Sequence, residues 1–129
     1  MRLTLHTDYA FRMLMRLANE GDRVVSVEEL SREFDVSKNH LMKVAQNLAQ
    51  AGFVTPVRGR NGGMKLGRPP AEINLRAVAE HMEPDFNIAG CHGGGECSFL
   101  PGCRLKRVLA GARDAFLETL GSRSLADIT

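Results

Sequence analysis

Apolar residues recur at three- and four-residue steps along most of the chain, and the breaks between runs divide it into elements. Ala10, Met13, Leu14, Leu17 and Ala18 form a first stripe between Thr7, a residue type suited to capping a helix, and Gly21. The pattern predicts a helix there. Ser26 with Glu29 three residues on has capping-box spacing, and Val27, Leu30 and Phe34 mark a short second helix ending near Asp35. A turn of two or three residues leads to Ser37, another capping residue, after which Leu41, Val44, Ala45 and Leu48 predict a third helix running to Gly52. Two short helices joined so tightly read as a helix-turn-helix.

Beyond Gly52 the period changes. FVTPVRG suits a short strand, RNGG a turn whose residues accept positive φ, and MKL a returning strand. This hairpin would be a wing. Pro69 and Pro70 mark a connector, and Asn74 caps a helix with Leu75, Val78, Ala79 and Met82 on one face, halted by Pro84. Residues 85–103 have no period and hold five glycines, so they predict an irregular loop whose order comes from something other than a core. Leu105, Val108, Leu109, Ala112, Phe116 and Leu120 then form a long stripe on a helix ending near Gly121. The expected fold is mainly α with a small β-hairpin: a winged helix-turn-helix over residues 1–70, then a loop and long carboxy-terminal helix over 71–129. That last stripe needs a partner surface, either its own domain or a second copy. Pairing of small DNA-reading modules to match two half-sites favours a homodimer.

At 129 residues the chain is long enough for one compact core. Its 43% apolar and 25% charged residues are those of a soluble globular protein, and no apolar run approaches the roughly 20 residues of a membrane span. The start MRLTLHTDYAFRMLMRL lacks the continuous apolar region of a secretory signal, which predicts a cytoplasmic location. The net charge of +2 hides an asymmetry. Residues 37–68 contain Lys38, Lys43, Arg58, Arg60, Lys65 and Arg68 and no acid, a compact polyanion-binding footprint. On the third helix Asn39, Lys43, Gln46 and Gln50 share a polar, acid-free face. Such helices present their amino-terminal part to base edges, so Ser37, Lys38, Asn39, His40 and Lys43 are the candidate contacts to double-stranded DNA. In the wing, Arg58, Arg60, Asn61, Gly62, Gly63 and Lys65 combine a flexible tip with cations that reach phosphate or a minor groove.

All three cysteines fall in the loop with C-x5-C-x5-C spacing, Cys91, Cys97 and Cys103, interleaved with Gly93, Gly94, Gly95 and Gly102. An odd number in a chain expected to stay in a reducing compartment argues against a disulfide framework. Three uses compete: an iron-sulfur cluster, a three-thiolate zinc site completed by a nearby His or Asp, or redox-sensing thiols. An enzyme using Cys97 and a histidine lacks an orienting residue and an oxyanion motif, and a purely structural metal module would not explain the acid-free stretch.

The segments MRLTLHTDYAFRMLMRLA, VSKNHLMKVAQNLAQAGFVTPVRGRNGGMKLG and PGCRLK make the chain resemble, over nearly its whole length, the NsrR and IscR family of iron-sulfur winged-helix repressors. The resemblance implies a homodimer that represses promoters at palindromic operators and senses nitric oxide, iron-sulfur status or redox state. Members of the IscR branch carry a histidine ligand three residues after the last cysteine, where this chain has Lys106. The likeness therefore runs to the nitric-oxide-sensing NsrR branch. What that implies is a 4Fe-4S cluster, with 2Fe-2S as the alternative, on Cys91, Cys97 and Cys103 and an aspartate early in the first helix, here Asp8. An acid in a first helical turn is also favoured by the helix dipole alone, and His92, His6 and Glu96 are the other candidates for the fourth ligand.

Overall fold

The computed structural model describes all 129 residues. Helices α1 (Leu5–Ala18), α2 (Val27–Phe34) and α3 (Lys38–Gln50) precede an antiparallel hairpin of β1 (Val54–Val57) and β2 (Gly63–Leu66), in which Val54 pairs with Leu66 and Val57 with Gly63. Helices α4 (Leu75–Met82) and α5 (Arg104–Gly121) follow, with short 3-10 turns at Pro70–Glu72, Gly90–Gly93 and Leu125–Ile128. The helix-turn-helix and wing are where the periodicity puts them.

The predicted stripes build one core. Ala10, Met13, Leu14 and Leu17 of α1, Leu30 of α2, and Leu41, Val44 and Leu48 of α3 are buried together with Val54 and Met64 of the hairpin. Leu75, Val78 and Met82 of α4 join the same cluster. Ile73 and Leu125 complete it from the irregular ends: the tail after α5 folds back so that the Leu125 N–H donates to the Ile73 carbonyl at 2.8 Å.

Local chemistry differs from expectation at two helix starts. Thr4, not Thr7, caps α1; the Thr4 hydroxyl accepts the Thr7 N–H at 3.3 Å, and Thr7 is buried with its own hydroxyl 3.1 Å from that of Thr4. The stripe begins one turn late because His6 and Leu5 in the first turn are not core residues. At α2, Ser26 caps the Glu29 N–H at 3.1 Å, but the Glu29 carboxylate turns to Arg23 at 2.8 Å instead of closing the box. Arg16, Arg23, Glu20, Glu29 and Glu33 form one ionic network tying α1 to α2. Hydrogen bonds from Arg23 and Arg16 hold the Glu20 carboxyl at a pKa of about 2.

The wing turn uses its glycines differently from the predicted RNGG tip. Gly59 takes the positive φ, at +116°. Gly62 and Gly63 are needed for close approach instead. A Cβ on Gly63 would lie 2.2 Å from the Val25 carbonyl oxygen, where Val25 bridges to Met64 along the other edge of β2. Gly63→Ala should therefore force the wing off the core and lower stability by about 1–3 kcal/mol, read as a drop in thermal midpoint. An unchanged midpoint would show that this approach can relax without cost.

No residue between Met82 and Leu117 is fully buried. The loop and the first half of α5 therefore stand outside the core. The predicted α5 stripe is split: Phe116 and Leu120 are half-buried, Phe116 lying 6.3 Å from Phe86, whereas Leu105 and Val108 are 62% and 66% exposed. Leu117, outside the predicted stripe, is the one buried position of α5.

Candidate DNA-reading surface and cysteine loop

Helix α3 is held from behind by its buried Leu41, Val44 and Leu48, which leaves Asn39, Met42, Lys43, Gln46 and Gln50 exposed. Ser37 caps it, its hydroxyl accepting the His40 N–H at 3.2 Å. Lys43, Arg58, Arg60 and Lys65 belong to no ion pair. Cations left without internal partners are available to phosphate. Lys38 differs, since its ammonium lies 2.7 Å from Glu28 in an exposed pair of the kind that exchanges readily. Arg58, Arg60 and Asn61 are exposed at the wing tip. Arg68, counted with the basic stretch, serves the fold: its guanidinium donates to the Ala51 carbonyl at 2.6 Å and lies over the Phe53 ring at 4.9 Å.

His40 is turned inward. Its ring stacks on His6 at 6.1 Å and meets Tyr9 edge-on at 5.2 Å, so the start of α3 is gripped by the first turns of α1. The Asn47 amide donates to His6 Nε2 at 2.8 Å, and burial, then the neighbouring His40, lowers the His6 pKa. Farther along, His81 Nε2 donates to the Asn47 carbonyl at 2.6 Å, and Glu83, which caps the end of α4, accepts from the Thr4 N–H at 2.6 Å. The start of α1 thus touches both the recognition helix and the end of α4.

Cys91, Cys97 and Cys103 are free thiols, Cys97 exposed and the others half-buried. Cys103 caps α5, its sulfur accepting the Lys106 N–H at 3.4 Å. Backbone N–H groups aimed at sulfur favour a bound thiolate. Cys97 lines an open recess with Gly94, Gly95, Glu96 and Ser98. His92 Nε2 lies 3.1 Å from the Lys106 carbonyl and must donate to it, which leaves Nδ1 as a lone-pair acceptor; that atom is buried without a partner. Within one chain, no three His, Cys, Asp or Glu side chains meet around a single point. Thiolates on an iron-sulfur cluster bind separate iron atoms and need not do so. Three free thiols on one loop are donors of the type that such a cluster takes. Asp8 sits on the exposed side of α1 in an ion pair with Arg12 at 3.0 Å, away from any such grouping, and Glu96 makes no hydrogen bond to another side chain.

No helix is long and apolar enough to cross a membrane. Residues 3–129 match the Rrf2 family model, described as iron-dependent transcriptional regulator. The chain is 42% identical over 131 aligned residues to the HTH-type transcriptional regulator NsrR of Bacillus licheniformis, covering 99% of this chain and 92% of that protein. Solved structures with the same fold include CymR, the global cysteine regulator of B. subtilis, with TM-score 0.81 and 22% identity over 99% of this chain and 95% of that one. Another is T. potens IscR, with TM-score 0.78 and 25% identity over 99% and 85%. The family model and NsrR are both described as transcriptional regulators, which sets aside the enzyme reading of Cys97. With its winged helix-turn-helix, its unpaired cations and a family match over nearly its full length, this chain belongs to the Rrf2 family of transcriptional regulators.

Proposed function

We propose that the chain is a homodimeric repressor that binds a palindromic operator and senses nitric oxide through an iron-sulfur cluster, 4Fe-4S in its sensing form, on Cys91, Cys97 and Cys103. The observation that carries this reading is the long stretch between Met82 and Leu117 without a fully buried residue, which holds all three thiols. A segment with no core of its own is ordered by a bound centre, and released when that centre is lost. The fourth ligand is Asp8 of the partner subunit, since α1 presents its carboxylate outward. The exposed Leu105 and Val108 on α5 form the dimer seam, with Ala112 on the same face. When bound, the cluster supplies iron that nitric oxide can attack.

On the DNA, Asn39 and Lys43 read base edges from the exposed face of α3, and Lys38 and the Ser37 cap approach phosphate at its start. Arg58, Arg60, Asn61 and Lys65 track the backbone from the wing, whose geometry Gly62 and Gly63 permit. Asn39→Ala or Lys43→Ala should each cost about 1–3 kcal/mol of specific affinity and relax discrimination at one position. Arg60→Ala should weaken binding to all sequences alike and lower the salt slope by about one. Competition binding over a range of salt, using a duplex selected from random sequence by the cluster-loaded protein, checks both. Equal loss of discrimination in all three variants would contradict the division.

One observation favours a second reading, a zinc site of three thiolates and His92, which would need the loop to close further, since these side chains do not meet around one point in the present geometry. The free Nδ1 of His92, with Nε2 anchored to a carbonyl, is the arrangement of a metal-ligating imidazole. Metal analysis of anaerobically purified protein separates the two: iron with acid-labile sulfide supports the cluster, one zinc without sulfide supports the alternative.

A further inference from the structure

We infer that His92 is a positioning residue of the cysteine site, tying the turn that carries Cys91 to the start of α5, where Cys103 is the cap. The inference rests on the cluster reading for its consequence, while the tie itself belongs to the protein without a centre. One peptide group joins the two arms. The Lys106 N–H donates to Cys103 Sγ at 3.4 Å, and the Lys106 carbonyl accepts from His92 Nε2 at 3.1 Å. A carbonyl oxygen has two lone pairs, so a helical C=O can take the imidazole N–H beside its own helix bond. No other hydrogen bond joins the loop, residues 85–102, to α5.

Holding His92 holds Cys91, because the two share a turn that is closed on itself. The His92 N–H donates to the Ala89 carbonyl at 2.9 Å and the Gly95 N–H to the Gly90 carbonyl at 3.0 Å. A Cβ on Gly95 would lie 2.8 Å from that Gly90 oxygen, so the turn closes this tightly only with glycine there. Residues 93–99 are all exposed, yet the His92 ring is turned from solvent onto α5, where its Nδ1 is buried without a partner. An unconstrained loop imidazole would keep that atom hydrated. The contact through Nε2 outweighs the loss and fixes the ring. Cys97 has no tie of this kind: its carbonyl accepts the Leu100 N–H within the loop, and its side chain is exposed. Two thiols are therefore placed before a centre binds, and the third closes on it. Ordering ligands in advance removes that cost from binding, which is how groups behind the ligands raise metal affinity.

The test compares His92→Leu, which removes the donor, with His92→Gln, whose amide nitrogen can replace Nε2 at the Lys106 carbonyl. In full-length protein freed of iron, with its thiols reduced, iodoacetamide labelling of each cysteine is followed by mass spectrometry at a fixed pH. Cys97 should label at the parent rate in both variants. In His92→Leu, Cys91 and Cys103 should label roughly three- to thirtyfold faster than in the parent, as local opening exposes them. In His92→Gln they should keep parent rates. His92 is no part of the core, so helical circular dichroism should be unchanged. After loading with iron and sulfide, iron loss to a chelator should be about tenfold or more faster in His92→Leu and near the parent's in His92→Gln. Parent labelling rates in His92→Leu would overturn the tie. Equal gains in His92→Leu and His92→Gln would assign the work to Nδ1 and overturn it too. A parent that takes up no iron and sulfide would overturn the cluster reading, with the tie still decided by the labelling pattern.

Discussion

Cys91→Ala, Cys97→Ala and Cys103→Ala proteins, purified without oxygen, should each lack iron and acid-labile sulfide and yet show the parent's helical circular dichroism. The two halves of this result have separate causes. The core is built by α1 to α4, the hairpin and the folded-back tail, and no cysteine belongs to it. The thiols lie outside the core, so removing any one is expected to leave a loop with too few ligands to hold a centre. Loss should be all but complete, since structural metal–thiolate sites owe on the order of 10 kcal/mol or more to their full ligand set. Full iron and sulfide in any variant would remove that cysteine from the site.

A single charge on α5 should have an effect of comparable size. Val108 is 66% exposed and Leu105 62%, on one side of a helix whose buried anchor, Leu117, lies three turns away toward its end. In the proposed dimer this side meets its symmetry mate, and Val108→Glu would place two unpaired carboxylates in an apolar seam, each costing several kcal/mol. The variant should sediment as a monomer. Its DNA affinity should then fall roughly a thousandfold toward non-specific binding, because one recognition helix cannot use two half-sites spaced by a DNA turn of about 34 Å. The monomer fold should survive, as Val108 is no part of the core. A stable dimer with parent affinity would place the seam elsewhere.

The parts of the fold that were legible in the sequence are those where one residue type reports one environment. Leu41, Val44 and Leu48, or Leu75, Val78, Ala79 and Met82, repeat at helical steps because one helix side is dry, and all are buried. Ser26, Ser37 and Asn74 cap as their types suggest. Less legible were features set by tertiary contact. Thr7 has the chemistry of a cap and a buried position one turn inside the helix, because Thr4 before it is fixed by Glu83 from α4. Gly62 and Gly63 read as turn residues, whereas what they satisfy is the approach of Val57 and Val25 carbonyls. The burial of Leu125 against Ile73 leaves no periodic trace in so short a tail.

The candidate site divides in the same way. Exposed Asn39, Lys43, Arg58 and Arg60 could be named from an acid-free stretch, since free cations cluster only where a polyanion or solvent awaits them. That Lys38 would pair with Glu28, Arg68 with the Ala51 carbonyl, and His40 with His6 and Tyr9 depends on residues distant in sequence. The cysteine spacing marked the loop, but the tautomer and free nitrogen of His92 depend on the turn Gly90–Gly93 lying against α5.

In the proposed function the state of the cysteine-bound centre sets DNA affinity. Its most direct test is anaerobic titration of the cluster-loaded protein with nitric oxide, following visible absorption and binding to the selected duplex in the same sample. Tight binding is expected before addition, then a loss of at least about tenfold in step with the absorption change, and no response in Cys97→Ala. DNA affinity that stays constant after the absorption change is complete would contradict it.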